Sequence, residues 1–251
     1  LKCQSEILRN RGFNHWHEWS DFWKEVTAMK YQLIIFDLDG TLMDSIGGIR
    51  KAVNMMLERH GYPTFSVEEY FDFVGNGLYN TVVGTLKNTD LTKKEIEPLY
   101  EEMLTYYAKH YDYELEPYPG AKNMLEKLNG KVYLAINSNK NDDMVKTITK
   151  KYLPEFEFAS VWGVKEGQPL KPDPWAISHL MDTLNVKAEQ VLFVGDSEVD
   201  ILTAQNAGVD VCFVTWGFRK KESIVSYEPS YIVDDFSQLY QVIKGEVISE
   251  R

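Results

Sequence analysis

The sequence predicts an α/β fold, a doubly wound parallel sheet with an inserted small α-helical cap. Three observations lead there. Short, almost wholly apolar, β-branched runs recur along the chain, as strands buried on both faces require. Helical patterns fall between these runs, and such alternation builds a parallel sheet. One interval of roughly 70 residues breaks the alternation, far too long for a plain strand-to-helix loop.

The first strand is read at residues 31–36, where Leu33-Ile34-Ile35-Phe36 is its apolar centre. Further strands are read at 132–136, 191–194 and 211–215, with weaker ones at 158–162 and 231–233. Helices are expected at 121–128, 142–151, 174–184 and 200–207. Gly208 after Ala207 is a natural helix C-cap. Pro174 suits a first helical turn. In the long interval, helical stretches are expected at 49–59, 67–73, 79–87 and 93–111, punctuated by Gly61-Tyr62-Pro63, Gly75-Asn76-Gly77 and Asn88-Thr89-Asp90. The expected division is a core of residues 29–46 and 117–251, a helical cap of 47–116, and an N-terminal extension of 1–28. That extension holds Trp16, Trp19 and Trp23 and balances its charges, so the net charge of −11 belongs to residues 29–251. A short amphipathic helix around 16–26 is one reading of it.

Composition excludes several classes. With 44% apolar and 26% charged residues the chain is an ordinary globular mix, not a disordered or fibrous one. Overall acidity argues against nucleic-acid binding, which needs clustered Lys and Arg. No apolar run approaches the ~20 residues that span a bilayer. Cys3 and Cys212 make no disulfide framework, and a cytoplasmic setting is expected.

The chemistry is written at strand ends. Asp37-Leu38-Asp39-Gly40-Thr41-Leu42 follows the first strand directly. Ligands of open α/β sheets bind at the carboxyl ends of strands. Asp37 and Asp39 share one side of an extended chain and repel unless a cation or a proton intervenes. Taken alone, this D-x-D also reads as an Asx turn. A second acidic pair appears in Gly195-Asp196-Ser197-Glu198-Val199-Asp200, again after a buried strand, with Asp200 at a helix start as a cap. Hard oxygen ligands from two strand ends suit Mg²⁺. Between them Asn137-Ser138-Asn139-Lys140 sets a hydroxyl and amide donors at another strand end. Lys171, between Leu170 and Pro172-Asp173-Pro174, sits in a stiffened loop where it can hold acidic residues apart and bind a phosphate.

These four segments, in this order, resemble the haloacid dehalogenase superfamily, in its phosphoglycolate phosphatase-like branch with a helical cap after the first motif. The resemblance runs from Met29 to about Ile243, and residues 214–219 also look like that branch. It implies a phosphatase with Asp37 as nucleophile and Asp39 as acid–base. It implies that Asp37, the Asp39 backbone carbonyl and Asp196 hold Mg²⁺. Ser138, Asn139 and Lys171 would bind the phosphoryl group, with Asp200 orienting Lys171 or metal waters. An Asp at position 39 argues for phosphatase or phosphomutase chemistry over dehalogenation. In the cap, Gly75, Asn76 and Gly77 are candidate substrate contacts, and their turn also reads as a simple helix–helix connection. Tyr106, Tyr107, Tyr111 and Tyr113 have the spacing of packing residues. The expected partner is a small-molecule phosphate ester, 2-phosphoglycolate first, with no nucleic acid and no membrane. A phosphosugar or nucleotide phosphatase, a pyrophosphatase, a β-phosphoglucomutase-like mutase and a catalytically silent binding module are the alternatives. A monomer or a dimer is expected.

Overall fold

The computed structural model describes residues 16–74 and 77–246. Its centre is a six-stranded, wholly parallel sheet. The first helix, α1 (Trp16–Ala28), precedes β1 (Leu33–Phe36). It buries Phe22 and pairs Glu25 with Lys131. A two-residue ladder comes next, β2 (Met43–Asp44) with β3 (Glu116–Pro117), antiparallel in the register Met43↔Pro117. Between them lie α2 (Ile46–Arg59), α3 (Val67–Tyr70), α4 (Gly77–Thr85) and α5 (Lys93–His110). The return path carries α6 (Ala121–Leu128), β4 (Tyr133–Asn141), α7 (Asp142–Tyr152), β5 (Ser160–Val164) and α8 (Trp175–Leu184). It ends with β6 (Val191–Gly195), α9 (Glu198–Ala207), β7 (Asp210–Val214), α10 (Lys221–Ile224), β8 (Tyr231–Val233) and α11 (Phe236–Lys244).

Strand order is β5-β4-β1-β6-β7-β8, so β1 lies inside, paired with β4 and β6. Its four residues are all buried, and they alternate between two cores. Ile34 and Phe36 pack with residues of α6, α7 and α11 such as Leu125, Ile148 and Leu239. Leu33 and Ile35 pack on the other face with Ile177 of α8 and Ile201 of α9. Burial on both faces is why these strands read as continuous apolar runs instead of alternating ones. The inserted helices close a third core of their own around Val53, Met56, Tyr70, Val82 and Met103. Capping boxes start α3 (Ser66 with Glu69) and α5 (Thr92 with Glu95), each satisfying backbone donors the helix leaves free.

The structure departs from the sequence expectations at identifiable points. The ladder β2–β3 falls where no strand was expected, because two residues are too short for any hydropathy pattern. It brings the two ends of the insertion together. Strand β4 runs five residues beyond Ile136, through a register shift between Asn137 and Asn141. That polar run is buried by the site, so hydropathy ended the strand too early. Helix α11 was not expected. Its cap is Asp235, whose side chain accepts the Gln238 N–H at 2.8 Å. Asp200 does not cap α9. Ser197 does, and Asp200 is the third helical residue, closing a capping box. The serine wins because its short hydroxyl reaches the Asp200 N–H while the Asp200 carboxylate accepts back from Ser197.

Candidate active site

Parallel pairing of β4, β1 and β6 aligns their carboxyl ends, and the site grows from those ends. Asp37 follows β1 and donates its backbone N–H to Val194 on β6 at 2.9 Å. Its carboxylate accepts the Leu38 N–H at 2.7 Å and meets the Lys171 ammonium at 3.0 Å. Asp196 follows β6. It accepts from the Thr41 hydroxyl at 3.1 Å and from the Phe218 N–H at 2.7 Å. Gly40 turns the loop after Asp37 with φ +83°, and a Cβ there would lie 2.4 Å from an Asp196 oxygen. Only glycine permits both that conformation and that approach.

Lys171 bridges two carboxylates, Asp37 at 3.0 Å and Asp200 at 2.6 Å. Asp200 is fully buried and also accepts from the Ser197 hydroxyl at 2.6 Å. Asn139 uses both ends of its amide on the Lys171 backbone, at 2.9 and 3.0 Å. Its side chain thereby braces the Lys171 loop, which differs from the phosphate contact expected for it. Ser138 is buried beside the two aspartates and lines the same cleft.

A cleft of about 560 Å³ opens above these groups. Asp37, Asp39, Ser138, Lys140 and Asp196 line it from the core, and Ile49, Val74, Leu78 and Thr81 from the helical cap. Gly77 lines it as well. Gly75 and Asn76 lie outside the described residues.

The electrostatics are those of crowded, buried carboxylates. Burial, joined by the Asp200 and Asp39 charges, raises Asp37 to about 7 although Lys171 pulls it down. Burial, then the neighbouring Asp200 and Asp37 charges, raises Asp196 well above the ordinary carboxylate range. Burial alone would lower Lys171, yet Asp200 and Asp37 hold it above its usual value. The same holds for Lys140, where Asp39 and Tyr107 overcome the burial penalty.

Oxygens of Asp37, Asp196 and Asp200 lie within 4.8 Å of one another. This is an all-oxygen set with excess negative charge, which fits a hard divalent cation. Lys171 and Ser197 both engage the fully buried Asp200, whereas Asp37 and Asp196 line the cleft and are the members open to a cation.

Sequence reasoning gave no site role to Lys140 or Tyr107. Lys140 contacts both Asp39 oxygens, at 2.9 and 3.0 Å, and also the Tyr107 hydroxyl of α5. Its position two residues after Ser138 was the available signal. Tyr107, read as packing, is indeed buried, and it is polar-bonded as well.

This is a capped α/β enzyme with a buried aspartate–lysine cluster at its strand ends. The family model of haloacid dehalogenase-like hydrolases matches residues 34–214. The phosphoglycolate phosphatase of Vibrio parahaemolyticus is 32% identical over 225 residues, covering 87% of this chain and 98% of that protein. That of Haemophilus influenzae is 31% identical over 221 residues, covering 85% and 99%. Among solved structures, one from Lactobacillus delbrueckii subsp. bulgaricus superposes with TM-score 0.81 at 31% identity, covering 87% of this chain and 100% of that one. A haloacid dehalogenase-like hydrolase of Streptococcus pneumoniae superposes with TM-score 0.75 at 27% identity, covering 85% and 98%. The chain belongs to the haloacid dehalogenase-like hydrolase family, and it is a phosphatase of that family. Among the described residues, no helix is long and apolar enough to cross a membrane.

Proposed function

We propose that the protein hydrolyses a small phosphomonoester through an aspartyl-phosphate on Asp37, with Mg²⁺ as cofactor and 2-phosphoglycolate as the leading substrate. One observation carries this reading. Asp37 is a carboxylate at a strand end, facing the cleft, with Lys171 at 3.0 Å and Asp196 beside it. An anion attacks an anion only where positive charge offsets the repulsion.

In the first step an Asp37 oxygen forms a bond to phosphorus as the ester P–O bond breaks. The departing alkoxide takes a proton from Asp39. In the second step Asp39 takes a proton from water, the resulting hydroxide bonds to phosphorus, and the acyl-phosphate P–O bond breaks to free Asp37. Lys171 and the Ser138 hydroxyl offset charge on the transferring group. Asp37, the Asp39 carbonyl and Asp196 would hold the cation, with Asp200 orienting Lys171. When bound, Mg²⁺ supplies charge neutralisation at the phosphoryl oxygens. The clustered oxygens of Asp37 and Asp196 support this assignment.

The substrate assignment leans on relatives named phosphoglycolate phosphatase at 30–32% identity over more than four-fifths of this chain. The proposed working parts are a core of 29–46 and 117–251, a cap of 47–116 with Gly75, Asn76 and Gly77 toward the substrate, and an extension of 1–28. A cytoplasmic setting belongs to the same reading. The test is phosphate release from 2-phosphoglycolate, sugar phosphates, nucleotides and pyrophosphate, with Mg²⁺ and with EDTA. Preference for another ester replaces the substrate, and conversion of β-glucose 1-phosphate to its isomer makes the protein a mutase. The Asp37→Asn variant is expected to fold and lose turnover by at least about a hundredfold. Substantial residual hydrolysis in it would sink the nucleophile assignment.

A further inference from the structure

Lys140 has three N–H donors, and all three are used. Two go to the oxygens of Asp39, at 2.9 and 3.0 Å, and the third goes to the Tyr107 hydroxyl. Two members of this group are shielded from water, whereas the Asp39 side chain is 18% exposed. The Lys140 side chain is 3% exposed and Tyr107 1%. These three residues come from three separate places. Asp39 lies on the loop after β1, Lys140 on the irregular end of β4, and Tyr107 in the last turn of α5. Helix α5 is the one that leads back from the cap to the core through β3. One unbroken chain of polar contacts thus runs from the cap to the carboxylate beside the nucleophile.

The physical consequence comes from donor counting. An ammonium only 3% exposed has little access to water in place of a lost partner, so it moves to recover one. Both Asp39 oxygens are held by that single nitrogen, and they move with it. The cap has other attachments that do not involve Tyr107. Arg219, held by Glu198 at 3.0 Å, donates to the Val74 carbonyl, and Phe218 packs into the cap core. Removing the Tyr107 hydroxyl therefore releases Lys140 while leaving the cap seated.

We propose that Tyr107 is a positioning residue which, through Lys140, sets the orientation of the Asp39 side chain toward the leaving group only while the cap is docked on the core. This rests on the reading of Asp39 as the acid–base. It makes proton transfer conditional on the closed arrangement, so an open cleft is poorly competent to cleave an ester.

The test uses the full chain and two ester classes. An alkyl phosphate has a poor leaving group that must be protonated as it departs. The p-nitrophenolate of an aryl phosphate leaves without a proton. The quantity read is kcat/KM, which reports steps only through departure of that group. Tyr107→Phe is expected to lower kcat/KM roughly tenfold to a hundredfold for the alkyl ester and less than about threefold for the aryl ester. Lys140→Met should show the same selectivity, and the double variant should lose no more than Lys140→Met alone. Equal losses on both esters, additive losses in the double variant, or no loss at all would overturn the proposal. If Tyr107→Phe does not fold, the Lys140→Met comparison decides, and equal loss there overturns it. Wild type and Asp39→Asn separate the two levels. A wild type that cleaves neither ester, or an Asp39→Asn variant without leaving-group selectivity, defeats the underlying reading instead of the Tyr107 link.

Discussion

Replacing Lys171 by methionine removes the cation that two buried carboxylates share. The ammonium lies 2.6 Å from Asp200 and 3.0 Å from Asp37. The Lys171 side chain is 3% exposed and that of Asp200 0%. Without it, two carboxylates are left buried and facing one another. Methionine keeps the unbranched stem, so the packing loss is small. Removing one partner from a buried pair costs about 3–5 kcal/mol. Against a total stability of about 5–15 kcal/mol, that is a large fraction. The penalty has a definite pH dependence. A buried carboxyl deprived of its cation keeps its proton to higher pH than it does in the unfolded chain. The folded state then binds more protons than the unfolded state, so the variant loses stability as pH rises. The slope is about 1.4 kcal/mol per pH unit for each carboxyl protonated only in the folded form. Asp37 already sits at about 7 in the wild type, and the variant pushes it higher. Urea unfolding of both proteins without metal, at about pH 6 and about pH 8, reads the effect. The gap between them should be several kcal/mol and wider at the higher pH. A gap below about 1 kcal/mol, or one equal at both pH values, would refute the claim that Lys171 neutralises this cluster.

Two further perturbations probe other levels of the structure. At Gly217 an added Cβ would lie 2.2 Å from the Asp196 Cβ and 2.5 Å from the Gly40 carbonyl oxygen. Gly217→Ala should cost about 1–3 kcal/mol and raise the Mg²⁺ needed for half-maximal turnover roughly tenfold. An unchanged Mg²⁺ titration would show that Asp196 is not displaced. Asp210, on β7, accepts from the Tyr31 hydroxyl at 2.5 Å and pairs with Lys30 at 3.3 Å. Burial opposes these contacts, which nevertheless hold its carboxyl below the ordinary value. Its stabilisation is therefore present above the unfolded pKa and lost as pH falls through the folded one. Asp210→Asn should cost up to about 1 kcal/mol near neutrality and nothing measurable near pH 2, read from the thermal midpoint; an equal loss at both would refute the charge-based account.

How much was legible in advance depended on how local each signal is. Buried parallel strands carry their own signature, so β1, β6 and β7 were visible as apolar or β-branched runs. Motifs at strand ends were legible for the same reason, since Asp37 directly follows β1 and Asp196 directly follows β6, within a single short segment each. What escaped had no local pattern. The two-residue ladder β2–β3 exists only because residues more than seventy positions apart meet. The polar end of β4 stays in the sheet because it is shielded by the site, against its hydropathy.

By itself the sequence determined that a parallel sheet would gather Asp37, Ser138, Lys171 and Asp196 near one edge, because strand polarity and motif position are chain-local facts. Tertiary structure decided the pairings. Only folding brings Lys171 against both Asp37 and Asp200, turns the Asn139 amide to the Lys171 backbone, and carries Tyr107 of the cap to Lys140. A hydrogen bond or ion pair acts only over a few ångströms, and no spacing along the chain encodes which distant groups will come that close.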